Sequence, residues 1–325
     1  MIWLTQKYIT RIIHHKIISQ KTLSSRKSEI PDASVIKVTL DELPFNSYKI
    51  NYKSNFRKII SLSNVKLNPK TGVVWYKNKI ISESSLWDTK DLLKWEPKPF
   101  FYFKISGIFN SLPDNGFFHF LIEDLPRFIE VNSINKMSQS VGGSNAKYII
   151  ETLDFLSYRN YFIPDYPLKL ETLYLSEKIH GKLFSNNDLD LLKSTFASQI
   201  NESTSKKIFI SRQDKKGTKF ESRGILKKSE LENLFTGYGF QIVFMEELSF
   251  FDQIKLSSSS ICIAGFHGAG LSNIIWAKPG TTIIEITNSR DTEHFQHISK
   301  ICEQKYFRYS TKQPLQILTA FLESI

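Results

Sequence analysis

The chain has 325 residues, 41% hydrophobic and 13% aromatic, so it can bury a sizeable core, as one large domain or two ordinary ones, and is not a disordered tail. Its net charge of +11, from 43 basic and 32 acidic side chains, points to an anionic partner: phosphorylated substrates, a membrane surface or nucleic acid. The excess lysines are scattered singly, and there is no zinc-finger spacing or aromatic RNP strand, so nucleic acid is not the expected partner.

Residues 1–21, MIWLTQKYITRIIHHKIISQK, are basic and apolar with a charge every few positions. They read as a docked terminal helix or as a helix lying on an anionic membrane, a peripheral contact. They lack a continuous apolar core and a small-residue cleavage site and are not read as a signal peptide; no run in the chain reaches the roughly 18 apolar residues of a membrane span. Ser24 to Ser34 is polar and reads as a linker, so residues 1–34 form an N-terminal helix and linker.

Residues 35–200 are expected to form a first lobe. VIKVTL reads as a strand, and VKLNPKTGVVWYKNKIIS as a hairpin turning at Pro69 to Gly72. FYFKISGIFNS is strongly apolar. Asp114 and Asn115 are placed to cap a helix starting near Gly116, which Pro126 is expected to end or kink after about three turns. Residues 138–145 are a polar Gly/Ser patch, KYIIE and TLYLSE read as strands, and Asn187 to Ile200 reads as an amphipathic helix.

Residues 201–325 are expected to form a second lobe of strictly alternating elements. KKIFISR, FQIVFME, ICIAG, TTIIEI and YFRYS read as strands. Between and after them, KKSELENLFTGYG (N-capped by Ser229), SFFDQIKLSSS, HGAGLSNIIWA, a segment from Asp291 and PLQILTAFLESI read as helices. Alternation of this kind implies right-handed crossovers and a parallel sheet covered on both faces. Cys262 and Cys302 are the only cysteines; they make neither a disulfide framework nor a metal spacing, which argues for a reducing, cytoplasmic compartment.

Four groups of residues carry candidate chemistry. The turn FHGAGLSN joins a strand to a helix start, where Gly268 and Gly270 let backbone N–H groups of the Gly268–Ala269–Gly270 stretch approach a diphosphate, with His267 and Ser272 or Asn273 donating to it. A tight connection with a satisfied histidine is the plainer reading, since the Walker lysine and the dinucleotide spacing are absent. Arg212, at a strand end, and Arg223, in the loop beyond, can fork onto phosphate oxygens. Glu285, at the end of TTIIEI, can accept from ribose hydroxyls. His119 and Glu123 lie four apart on one helix face, the arrangement for a general base on an acceptor hydroxyl, or for a helix-stabilising pair; Arg127 offers Glu123 an alternative ion pair.

The run from SR at 211–212 through HGAGLSN to TTIIEI resembles the catalytic domain of glycosyltransferase family 61, whose bacterial members are often described as capsular polysaccharide biosynthesis proteins. GFFHFLIEDLPRF is similar to that family's histidine, acid and Leu-Pro-Arg signature, and residues 65–86 are similar to its N-terminal part. The resemblance covers about residues 60–310. It implies an α/β, GT-B-like architecture of two Rossmann-like lobes facing a cleft, with an N-terminal β-hairpin region. It implies inverting transfer from a nucleotide-sugar donor, usually a UDP-sugar, to a glycan or glycolipid acceptor, with no cofactor and no essential metal. By motif, the base falls on Glu123 with His119 beside it, Asp124 being the alternative base. The donor-binding positions fall on Arg212, Arg223 and His267 to Leu271. Phe120 stands where bacterial relatives often carry Trp, and the loop between the two arginines is rich in lysine; both bear on substrate identity. A non-catalytic nucleotide- or glycan-binding subunit of a polysaccharide assembly complex is the alternative function.

Overall fold

The computed structural model describes residues 37–38, 48–53, 58–77, 79–81, 102–134, 139–156, 161–176, 184–201, 203, 205–212, 228–288 and 292–325, with side chains from residue 58 onward. All of these lie in one compact unit, Ile36–Ile325. The N-terminal segment 1–34 and the loop carrying Arg223 lie outside the described residues. Among the described residues no helix is long and apolar enough to cross a membrane.

Two sheets organise the α/β unit. The first runs β1 (Lys37–Val38), β5 (Lys79–Ile81), β4 (Val74–Tyr76), β3 (Lys58–Leu67), β9 (Leu168–Ser176), β6 (Phe103–Leu112), β7 (Gln139–Gly142) and β8 (Tyr161–Phe162), with β2 (Tyr48–Lys53) also paired to β3. β3 turns back on β4 with Lys66 opposite Trp75, and the turn between them is closed by Asn68 N–H to the Val73 carbonyl at 2.9 Å. β9, β6, β7 and β8 are mutually parallel neighbours.

Two helices connect these parallel strands. α1 is built of Phe117–His119, a π-turn Phe120–Asp124 and Leu125–Ile134; α2 is Lys147–Phe155. The chain from Lys147 is thus a helix and not a strand. Its buried side chains, Ile149, Thr152 and Leu153, fall at helical spacing once the window extends beyond KYIIE. The strand lies earlier, inside the polar Gly/Ser patch. Its end passes hard against the loop entering α1: a Cβ on Gly143 would sit 2.4 Å from the Asp114 nitrogen. Pro126 likewise does not end α1, which continues to Ile134. Proline lacks the N–H and crowds the turn before it, and here that turn is widened into the π-turn that carries Glu123 and Asp124. The α1 N-cap is Gly116; Asp114 accepts the Gly116 N–H at 3.1 Å, so the acid shapes the approach to the helix rather than capping it.

After α3 (Asn186–Thr195), closed by a Ser185–Asp188 capping box, the chain enters the second sheet. Its order is β11 (Gln241–Val243), β10 (Lys206–Ile210), β12 (Ser260–Phe266), β13 (Thr282–Thr287) and β14 (Lys305–Ser310), every pair parallel. The connections are α4 (Lys228–Gly237), α5 (Phe250–Ser258), a 3₁₀ segment (Ala269–Trp276) and α6 (His294–Ile301), and α7 (Leu315–Glu323) follows. α4 starts at Lys228, so Ser229 lies in its first turn instead of capping it.

Period-two alternation splits the second sheet's side chains between two cores. Phe209, Cys262, Ala264, Ile284 and Ile286 face α4 and α7. Ile208, Ile210, Ile263 and Ile283 face α5, the 3₁₀ segment and α6, in a cluster that also takes Phe120, Leu125 and Phe128 from α1 and Leu153 from α2. One apolar core therefore ties α1 to the second sheet. Phe120 sits inside it, 4.7 Å from the Tyr148 ring and 5.7 Å from Phe250. Both cysteines are free and buried, and burial pushes each thiol up to about 12.

Candidate active site

In a doubly wound sheet, ligands bind beyond the carboxyl ends of the strands where the chain reverses its direction of winding. Here β10 is followed by a neighbour on one side, β11, and then by β12 on the other, so the reversal lies between β10 and β12. Arg212 lies two residues past β10 and His267 one residue past β12. The Arg212 Nη2 donates to the His267 carbonyl. The guanidinium lies so close to the next residue that a Cβ on Gly268 would fall 1.7 Å from Nη2. Glycine is needed at 268 for space: its φ of 164° is extended backbone open to any residue.

The turn itself is braced from below. His267 N–H donates to the Ile286 carbonyl at 2.8 Å. Ala269 and Gly270 open the 3₁₀ segment, where the first N–H groups have no upstream carbonyl to meet. The segment is 3₁₀ instead of α-helical. Asn273 is fully buried and donates to Gln253 Oε1 at 2.9 Å and to the Gly270 carbonyl at 3.0 Å, so its amide closes the turn. Ser272 is fully buried as well.

Glu285 lies under the turn. Its carboxylate is wholly buried, faces protein donors, and has no exposed edge for a ribose. One oxygen meets the His267 Nδ1, and the other accepts from the Tyr306 hydroxyl and from Arg308 Nε, the latter at 3.2 Å. Register explains the group: Glu285 stands opposite Arg308 on the adjacent parallel strand, with Tyr306 two residues earlier on the same face. Burial pushes the Glu285 carboxyl up, but the hydrogen bonds from His267 and Tyr306 and the charge of Arg308 outweigh it and hold it below the usual carboxylate range. An ionised carboxylate can only accept, so the His267 Nδ1 carries the proton. The His267 Nε2 is left toward Thr292 Oγ1, 3.4 Å away.

The α1 residues sort themselves differently from the sequence expectation. His119 Nδ1 lies 3.1 Å from Glu123 Oε1. Arg127 pairs with Asp124, at 3.3 Å, and not with Glu123. Arg127 also donates through Nε to the Ser176 carbonyl at 2.8 Å, tying α1 to the end of β9. Asp124 additionally accepts from Asn115 Nδ2 at 3.2 Å and has no exposed side-chain surface. Asp124 is thereby an anchor of the helix, and Glu123 the carboxylate left to its histidine.

A chain of rings brings the two histidine–carboxylate pairs to one place. Phe118 packs edge-on against His119 at 5.4 Å, lies 5.6 Å from His294 and 5.9 Å from Phe295, and Phe295 lies 5.3 Å from His267. His294, the first residue of α6, feels the charges of all four site groups. Burial first, then His267, pushes its imidazole below the ordinary value, against the upward pull of Glu123 and Glu285 and with a smaller downward push from His119. Sequence reasoning missed His294, Tyr306 and Arg308. The period-two alternation of YFRYS beside TTIIEI carried a signal for the last two; His294 had none, because only the docking of α6 places it here. Among the described residues no group of three or more His, Cys, Asp or Glu is arranged to hold a metal ion.

Comparison with known proteins bears on this site. A family model described as Glycosyltransferase 61 matches residues 117–284, about half of the chain. The matched interval opens at the first residue of α1 and holds His119, Glu123, Arg212 and the 267–270 turn, while Glu285 falls one residue beyond it. A 133-residue stretch is 29% identical to a beta-1,2-xylosyltransferase of Arabidopsis thaliana, covering 35% of this chain. The match spans about a quarter of that relative's length, 25%.

Proposed function

The chain belongs to the glycosyltransferase 61 family, and on that premise we propose that it is an inverting glycosyltransferase that moves a sugar from a nucleotide-sugar, of the UDP class, to a hydroxyl of a glycan or glycolipid acceptor. The observation that carries this reading is the meeting of the His119–Glu123 pair with the Arg212–His267 turn around His294. Such transfer needs a base on the acceptor hydroxyl and positive groups at a departing diphosphate. We read the two sheets as the two lobes of a GT-B-like arrangement, with the diphosphate beyond the carboxyl ends of β10 and β12.

In this reading Glu123 takes the acceptor proton as the acceptor oxygen bonds to the anomeric carbon from the face opposite the leaving group. The bond from that carbon to the phosphate oxygen breaks, and the nucleoside diphosphate departs with the electron pair. His119 holds the Glu123 carboxylate in place. Arg212 and the backbone N–H groups of the turn offset the charge that develops on the diphosphate, so an essential metal is not required. Glu285 acts one step back, fixing the His267 tautomer so that Nε2, on the side of Thr292, is the ring's acceptor. The resemblance to bacterial members described as capsular polysaccharide biosynthesis proteins extends the proposal to a role in building cell-surface polysaccharide or lipopolysaccharide.

A thermal-shift screen of nucleotide-sugars with and without EDTA, followed by a transfer assay on the best binder, tests the proposal. Stabilisation by one UDP-sugar that persists in EDTA, with release of UDP on adding acceptor, is the expected result. Binding without any transfer across a panel of glycan acceptors would instead make the protein a non-catalytic nucleotide-binding subunit. Arg212→Ala is expected to weaken UDP binding, and unchanged affinity by calorimetry would remove Arg212 from the diphosphate site.

A further inference from the structure

His294 is the one imidazole that both halves of the site share. Its ring nitrogens make no hydrogen bond among the described residues, although His119 is engaged by Glu123 and His267 by Glu285. It is half-buried, with the Phe118 ring against it and Phe295 as its chain neighbour. Immediately upstream, Thr292 is pinned: its carbonyl accepts from Arg308 Nη2 and its hydroxyl faces His267. The start of α6 is thus held at the turn by the network that centres on Glu285.

The inference rests on the donor reading above. If the diphosphate lies at Arg212 and the 267–270 turn, and the acceptor hydroxyl at Glu123, the transferred sugar must bridge the two. His294 stands against Phe118, which packs on His119, and beside Phe295, which packs on His267, so it lies between the two ends. We propose that His294 contacts the transferred sugar and takes part in selecting it: one ring nitrogen donates to a sugar hydroxyl, the other accepts from one, and Phe118 supplies an apolar floor. A neutral imidazole has the one donor and one acceptor that a pair of neighbouring hydroxyls matches. Burial keeps His294 in that neutral form. To the diphosphate it would add no countercharge, because the ring is neutral.

The test separates sugar contact from general support. Affinities of the full-length protein for UDP and for UDP-xylose, UDP-glucose and UDP-N-acetylglucosamine are measured by calorimetry for the wild type, His294→Ala and His294→Gln. The quantity read is the ratio of UDP-sugar affinity to UDP affinity, for the sugar the wild type binds best. In His294→Ala this ratio is expected to fall about tenfold while UDP affinity and the melting temperature stay as in the wild type. In His294→Gln, whose amide retains a donor and an acceptor, part of the ratio is expected to return. An unchanged ratio in His294→Ala, or UDP affinity falling in step with UDP-sugar affinity, overturns the assignment. A wild-type protein that binds UDP but none of the three sugars overturns the donor reading itself, and this inference with it.

Discussion

Two histidine–carboxylate pairs meet at the site, and they are built to opposite ends. In the α1 pair the Glu123 side chain is 7% exposed and His119 36%, and the contact is a 3.1 Å approach between residues four apart on one helix. In the β12–β13 pair Glu285 is 0% exposed and His267 16%, and the carboxylate is shared with Tyr306 and Arg308 from the next strand. A carboxylate whose oxygens are all engaged by protein donors fixes geometry. One that meets a single imidazole keeps lone pairs for a proton from outside. In the proposed mechanism the same two residue types serve as reactant in one place and as scaffold in the other, and the neighbouring strand makes the difference.

The sharpest way to break this contrast is Glu123→Gln. If Glu123 is the reacting carboxylate, transfer should fall by about 10²–10⁴-fold, with UDP affinity and melting temperature unchanged. Turnover within a few-fold of wild type would move the base elsewhere, Asp124 being too enclosed by Arg127 and Asn115 to inherit it. Glu285→Gln should show the reverse profile. An amide in place of a buried carboxylate turns one hydrogen-bond acceptor into a donor that faces other donors and leaves Arg308 without its countercharge. The expected cost is about 2–3 kcal/mol of stability, less than for a fully buried pair because Arg308 keeps some exposure. Chemical denaturation would show it; a midpoint equal to wild type would mean that Glu285 is not the brace described here.

How far the chain announced this arrangement differs between the two regions. The second sheet was legible because each strand is an apolar run bounded by polar or Gly/Pro positions, and each helix follows at the length a crossover needs. In the first sheet, β7 is spelled Gln-Ser-Val-Gly and owes its strand form to parallel neighbours on both sides, so composition concealed it. α2 was hidden by a β-branched, apolar start that only reads as helical over nine residues. At the site, His119 and Glu123 were visible as an i,i+4 pair, and Arg212 and the glycine turn as strand-end residues. The Ser176 partner of Arg127, the enclosure of Glu285 and the arrival of His294 depend on contacts between residues far apart in the chain, which no local pattern encodes.

Gly268→Ala probes the scaffold side more finely. Alanine is allowed at the extended backbone of 268, so the fold should hold, but its methyl must evict the Arg212 guanidinium from the His267 carbonyl. UDP affinity should then weaken by about tenfold, the scale of one charged hydrogen bond, with little change in melting temperature. Equal affinities for wild type and variant would mean that the Arg212 guanidinium, held at the His267 carbonyl, does not bind the diphosphate.

The smallest effect separates the two regions by pH. His294 is held below its ordinary value of 6.5, so the folded protein resists a proton that the unfolded chain accepts. Its share of stability should therefore be complete at pH 8 and decline as the pH falls through 6.5 toward the lowered folded value. Glu285 has the opposite charge type and a depressed carboxyl, so its contribution should remain whole through that interval. It should be lost only as the pH falls below about 4.5, through its own lowered value. Denaturation midpoints followed from pH 8 to pH 2 should show two separate declines, with His294→Gln removing the upper one and Glu285→Gln the lower. If His294→Gln leaves the upper decline intact, His294 is not the group that produces it, and its half-buried place at the start of α6 carries no share of the pH dependence.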